Sequence, residues 1–155
     1  MNLVYLPNIG FKLDSSNEII FKWGNEREEI RHLLNNSHIA DDDEDYGQKR
    51  DIYQNAGELM LLNYDDSNYL NELEIHKGVD ININGIILKF GDDVNNILKR
   101  LQSYDKYKIL DDDGTFLLPS MKMAIGNGAS MGGEDDNNSL EYFYASANID
   151  HLMEI

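Results

Sequence analysis

The sequence predicts an α+β fold: two tandem hairpin-helix-meander repeats whose antiparallel strands join into one sheet, with both helices packed on one face. Two observations predict it. The first is internal repetition, because Ile86-Ile87-Leu88-Lys89-Phe90-Gly91 occurs 67 residues earlier as Ile19-Ile20-Phe21-Lys22-Trp23-Gly24, and Ile97 and Leu101 match Ile30 and Leu34 at the same offset. Leu73-Glu74-Ile75 likewise matches Leu140-Glu141-Tyr142, so two blocks align with no net insertion between them and mark copies of one supersecondary unit. The second is a change of period, from alternation before each glycine to helical spacing after it. A chain of 155 residues with 41% apolar content can bury a real core. It is short enough that the repeats, roughly 11–77 and 78–147, should share that core as a single domain, 1–155.

The elements follow in order. A strand-like run, Leu3 to Leu6, precedes Phe11 and Leu13, the turn residues Asp14-Ser15-Ser16-Asn17, and the alternating Ile19, Phe21 and Trp23, which together read as a hairpin. Past Gly24, Asn25 is placed to cap a helix whose Ile30, Leu33 and Leu34 form one stripe, with Glu28 three residues on. Asp41-Asp42-Asp43-Glu44-Asp45 then repel one another and predict an exposed loop. A meander follows: strands around Ile52-Tyr53, Leu59 to Tyr64 and Tyr69 to His76, separated by turns at Asn55-Ala56-Gly57 and Asp65 to Asn68.

The second copy repeats this plan. Val79, Ile81 and Ile83 alternate up to Asn84-Gly85, the preferred pair for a type I′ turn, and Ile86, Leu88 and Phe90 alternate away from it. Asp92 is placed to cap a helix with Val94, Ile97, Leu98 and Leu101 on one side. Strands from Tyr107 to Leu110 and Thr115 to Leu118 flank a turn at Asp111-Asp112-Asp113-Gly114. Met121, Met123 and Ile125 alternate next, a glycine-rich acidic loop runs from Gly126 to Asp136, and Leu140 to Ala147 make the last long strand.

Composition excludes several classes of function. With no cysteine there is no disulfide, thiolate nucleophile or cysteine-ligated zinc, which agrees with a reducing cytoplasm. No basic residue precedes the first apolar run, and no run is long enough for a signal or membrane helix, so a soluble cytoplasmic protein is expected. Acidic residues number 29 against 13 basic ones, a formal net charge of −16. That balance argues against nucleic acid and anionic membranes as partners, since both need lysine and arginine to displace counterions. It favours fast electrostatic association with a basic protein.

The motifs that could carry chemistry fail on spacing. Gly126, Gly128 and Gly132 miss the dinucleotide pattern because Met131 intervenes, and Glu134 follows Gly133 where a P-loop needs lysine, so the segment reads as a flexible loop. Asp41, Asp43 and Asp45 match the first calcium-ligand positions of an EF-hand, yet Gly47 is one place late and Ile52 replaces the bidentate acid. Of four histidines only His32 and His38 lie close, with no third ligand. Tyr53, Tyr64, Tyr142 and Tyr144 read as core tyrosines. The expectation is therefore a non-enzyme without cofactor or metal, and without an active-site cluster, that is, a buried, closely packed group of titratable side chains with strongly shifted pKa values in a cleft. Tyr46 differs from the other tyrosines, since a ring beside carboxylates on a loop is suited to anchoring a basic partner.

A small, strongly acidic, cysteine-free, asparagine-rich chain with exposed acidic loops resembles the immunity proteins of bacterial polymorphic and contact-dependent toxin systems. Its tandem layout is similar to that of beta-lactamase inhibitory protein, whose cysteines it lacks. Immunity proteins share no motif, so no residue role carries over; what both resemblances imply is a protein that binds and blocks another. The function expected is a cytoplasmic immunity protein that neutralises a basic toxin domain, a nuclease in the first instance, by offering carboxylates where the toxin takes phosphates. The contacts expected are Asp41, Asp42, Asp43, Glu44, Asp45 and Tyr46, the turn Asp111, Asp112 and Asp113, and the loop Glu134, Asp135 and Asp136. A non-catalytic binding or scaffold domain for another partner, and a small hydrolase, stand as alternatives.

Overall fold

The structure, a computed structural model, describes residues 2–13, 18–110, 114–133 and 137–153. The chain begins with β1 (Asn2–Leu6), β2 (Gly10–Leu13), β3 (Ile20–Lys22), α1 (Arg27–Leu33) and β4 (Ile39–Ala40). After a 3-10 turn (Glu44–Tyr46) come β5 (Lys49–Asn55), β6 (Glu58–Tyr64) and β7 (Leu70–Lys77). It continues through β8 (Asp80–Ile83), β9 (Ile86–Leu88), α2 (Val94–Leu101), β10 (Lys108–Ile109), β11 (Thr115–Leu118) and β12 (Met123–Asn127). A second 3-10 turn (Ala129–Met131), β13 (Leu140–Ser146) and α3 (Asp150–Met153) complete it. The fold is α+β, mostly strand with few helices, and its sheets are largely antiparallel.

The strands do not form the single sheet expected from the sequence. They divide into a five-stranded sheet of order β3-β2-β1-β8-β9 and an eight-stranded sheet of order β10-β11-β12-β13-β7-β6-β5-β4. The division falls at each helix: the hairpin before it joins the small sheet and the strands after it join the large one. β1 is what brings the two hairpins together. It pairs antiparallel with β2 (Val4 with Lys12) and parallel with β8 (Val4 with Asn82), so the expectation of antiparallel pairing throughout also fails there.

Matching residues of the two halves hold matching turns. Gly24 and Gly91 have φ of +92° and +96°, a left-handed conformation that glycine adopts at little cost. The Gly24 amide donates to the Leu70 carbonyl at 2.8 Å and the Gly91 amide to that of Leu140 at 3.0 Å. Asn25 Oδ1 accepts from the Lys22 amide and Asp92 Oδ2 from the Lys89 amide. Those side chains are thereby occupied, and each helix starts one residue later than the sequence pattern indicates. The caps are Glu26, whose side chain makes no capping hydrogen bond, and Asp93, which accepts from the Asn96 amide. From Gly10 to Lys77 and from Asp80 to Ser146 the strands and helix run two strands, a helix and four strands, but the 3-10 turn follows the first of those four strands in one stretch and the third in the other.

One buried cluster unites the sheets. Leu3, Tyr5, Phe11 and Ile81 from the small sheet meet Leu62, Ile75, Met123 and Phe143 from the large one, and Ile30 of α1 and Val94, Ile97 and Leu101 of α2 close it. Each such side chain contributes about 1.5–3 kcal/mol by leaving water. Tyr5 is the hinge of the arrangement: its ring meets Phe143 edge-on at 5.7 Å, and its hydroxyl donates to the Met121 carbonyl at 2.6 Å. Burial raises its phenol well above the ordinary value, which keeps the proton on the donor. Because strand side chains alternate, this core takes one face of the large sheet and leaves the other with only a small cluster around Leu117, Ala124, Tyr144 and Ile149.

Candidate functional site

The acidic run is an ordered turn rather than the irregular loop its charges suggest. Asp43 forms an isolated antiparallel bridge with Gln48, and its side chain caps the 3-10 turn by accepting from the Asp45 amide at 3.1 Å. Gly47 at φ +66° lets the chain close back. Asp42 stays 43% exposed but bonds back to the protein, accepting from Arg27 Nη2 at 2.7 Å, from Arg27 Nη1 at 3.1 Å and from the Arg50 amide at 3.1 Å. Asp42 and Asp43 therefore hold the turn, while Asp41, Glu44 and Asp45 face solvent and Tyr46 is 86% exposed.

Beneath the turn lies a buried ion cluster. Arg27 is 5% exposed and Asp51 0%. Asp51 Oδ1 accepts from Arg27 Nη2 at 2.7 Å and from Arg31 Nη2 at 2.8 Å, and its Oδ2 accepts from Arg31 Nε at 2.8 Å. Burial pushes the Asp51 carboxyl up, but the hydrogen bonds from Arg31 and Arg27 outweigh it and hold the group below the usual carboxylate range. The hydrogen bond from Arg27 lowers Asp42 in the same direction. Arg27 also stands over the Tyr64 ring at 5.1 Å. The cluster fastens the turn to α1 and β5.

A second polar network covers the outer face of the large sheet. Arg50 donates to Glu74 at 3.1 Å and to Asn63 at 2.8 Å, and Asn63 donates to Glu72 at 3.2 Å and Glu74 at 2.7 Å. Tyr142 donates to Glu74 at 2.7 Å, and Tyr144 donates to Glu72 and lies 3.2 Å from His151 Nε2. The register explains the pairing, since Tyr144 lies opposite Glu74 and Ser146 opposite Glu72, so each tyrosine reaches a glutamate diagonally. Burial, reinforced by those carboxylates, raises both phenols far above their ordinary range, so both remain donors. Two hollows flank this network. One of about 400 Å³ lies beside the acidic turn between Gly47, Arg50, Asn63, Asp66 and Glu72. The other, of about 300 Å³, lies between Glu72, Leu110, Tyr142, Tyr144, His151 and Leu152.

No protein-family model, no curated protein and no solved structure matches this chain.

Of the partner contacts expected from sequence, Asp41, Asp42, Asp43, Glu44, Asp45 and Tyr46 come together on one turn, with Asp42 and Asp43 turned to structural use. Asp111, Asp112 and Asp113, and Glu134, Asp135 and Asp136, lie outside the described residues. The glycine-rich segment beside the latter is more regular than expected. β12 continues through Asn127, whose carbonyl accepts from the Ser130 hydroxyl at 2.7 Å. Sequence reasoning missed Glu72, Glu74, Arg50 and Asn63; it read Tyr142 and Tyr144 as core, and Tyr144 is buried in the small outer cluster with Tyr142 packed against it, but the hydroxyls of both reach the glutamates. The signal was the alternation of Glu72, Glu74 and His76 with Leu73 and Ile75, which puts two acids on one face of a strand. Among the described residues, no group of three or more His, Asp or Glu side chains is arranged to hold a metal, and no helix is long and apolar enough to cross a membrane.

Proposed function

We propose that this chain is a cytoplasmic inhibitor that binds and neutralises a basic bacterial toxin domain, a nuclease in the first instance, through its acidic surface and without catalysis. The observation that carries this reading is Tyr46. Its ring is 86% exposed on an ordered turn with three outward carboxylates, Asp41, Glu44 and Asp45, and the turn is fixed from beneath by the Asp42–Arg27 pair. An exposed ring on an ordered turn, with negative charge beside it, needs no ordering of its backbone on docking, and the charge steers a cationic surface onto it. A net charge of −16 supplies the long-range field.

The same reading takes residues 11–77 and 78–147 as two copies of one unit, with both helices on one side of the large sheet. The shared order of strands and helix and the matched turns at Gly24 and Gly91 support this. Duplication would leave the outer sheet face and the acidic connections as the parts available for a partner.

The test is to look for a neighbouring gene that encodes a toxin with a basic C-terminal domain, to express that domain alone and with the chain, and to measure affinity for the purified domain; a neighbourhood with no such gene counts against the proposal. Co-expression is expected to restore growth, and Tyr46→Ala is expected to weaken binding by about tenfold or more, as truncation of a central anchor does. The Tyr46 side chain lies outside the core, so the variant folds. Toxicity that persists despite co-expression, or affinity unchanged by Tyr46→Ala, contradicts the proposal.

A further inference from the structure

The hollow on the outer sheet face is walled by apolar and aromatic side chains, and its carboxylate, Glu72, has among the described residues only a histidine as ionic partner. Leu110, Leu152, Tyr142 and Tyr144 line it together with Glu72 and His151. The two glutamates of the face differ in how they are compensated. Glu74 has Arg50 at 3.1 Å and is 13% exposed. Glu72 is 24% exposed, and among the described residues no lysine or arginine pairs with it; its nearest base is His151 Nε2 at 3.9 Å. Its hydrogen bonds from Asn63 and Tyr144 occupy one lone pair on each oxygen and leave capacity for further donors.

We propose that this hollow receives an arginine side chain of the basic partner, an assignment that rests on the inhibitor reading above. A guanidinium is planar and weakly hydrated, stacks on aromatic faces, and presents forked donors to a carboxylate, so it matches both the walls and Glu72. An anionic group would be repelled by Glu72. A purely apolar one would strip water from Glu72 and give it no new partner. A lysine ammonium keeps its water more strongly and gains less from the tyrosine rings. Glu72 also lines the hollow beside the acidic turn, so one partner surface could engage Tyr46 and fill the pocket together.

The experiment is an NMR titration of the full chain with N-acetyl-arginine amide and, separately, with its neutral isostere N-acetyl-citrulline amide. Saturable shifts at Thr115, Tyr144 and Leu152 are expected with the arginine probe, together with binding at least about tenfold weaker for citrulline. Glu72→Gln, which removes the charge, and Thr115→Tyr, which fills the hollow from β11 without touching Glu72, are each expected to weaken arginine binding at least about tenfold. Equal binding of the two probes, shifts elsewhere on the surface, or unchanged binding in both variants overturns the assignment. A toxin whose affinity survives Glu72→Gln but falls with Tyr46→Ala overturns the pocket and leaves the inhibitor reading standing. Arginine binding in the hollow without any toxin binding overturns the inhibitor reading, and the partner assigned to the hollow falls with it.

Discussion

Asp51 shows how much of this molecule depends on one side chain. It is fully buried between Arg27 and Arg31, and through Arg27 it also secures Asp42 and the acidic turn. Replacing it with asparagine keeps the shape but removes the buried counter-charge that both guanidinium groups share. Among the described residues Arg27 then pairs only with Asp42 and Arg31 only with the exposed Glu28, which should destabilise the protein by about 3 kcal/mol at neutral pH. The pH dependence has a definite sign. A carboxyl whose folded value is depressed contributes stability above its unfolded value, about pH 4, and loses it as pH falls through the folded value. Urea denaturation of Asp51→Asn and the parent should therefore differ most near pH 7 and converge under strong acid. A gap that stays constant down to pH 2 would mean that Asp51 acts through packing alone. The strand alternation puts Asp51 and Tyr53 on the same face, and that much was legible in the sequence. The arginines that make the site tolerable come from α1, and local pattern cannot identify partners across such a separation.

Elements were read more successfully than their assembly. The hairpin β8–β9 forms around Asn84-Gly85 with both residues at positive φ and Ile83 opposite Ile86, because that dipeptide encodes its own turn. The meander β5-β6-β7 likewise follows from local alternation and turn residues. What the sequence leaves open is which hairpin meets which sheet. That choice is made by β1, whose parallel pairing with β8 joins residues far apart in the chain. The helix caps fell one residue later than the pattern placed them because Asn25 and Asp92 bond back to Lys22 and Lys89. The matching junctions give a paired prediction. An alanine Cβ at Gly24 or at Gly91 would meet nothing within 4 Å, so the cost is purely conformational, on the order of 1 kcal/mol, and the same at both sites. Thermal unfolding of Gly24→Ala and Gly91→Ala checks this, and clearly unequal losses would contradict an equivalence of the two junctions.

At the scale of the whole molecule, two faces carry different chemistry. The inner face of the large sheet is the apolar core, and its outer face holds glutamates, tyrosines and a single arginine bound among them, with the acidic turn at one edge. The turn was legible because a run of five acids identifies itself; the outer face was not, because it exists only once β7 and β13 are in register. The central claim is that the turn docks a basic partner, and the structure selects which acids to test. Asp42 and Asp43 hold the turn and must stay, whereas Asp41, Glu44 and Asp45 face outward. The decisive measurement is the association rate of the toxin domain with the triple variant Asp41→Asn, Glu44→Gln, Asp45→Asn across a salt series, by stopped flow. The account predicts a rate about tenfold or more below the parent at low salt and a shallower salt dependence, the two proteins converging near 1 M salt, where the screening length is about 3 Å. Identical rates and identical salt slopes would contradict it and leave the turn as a solubilising feature.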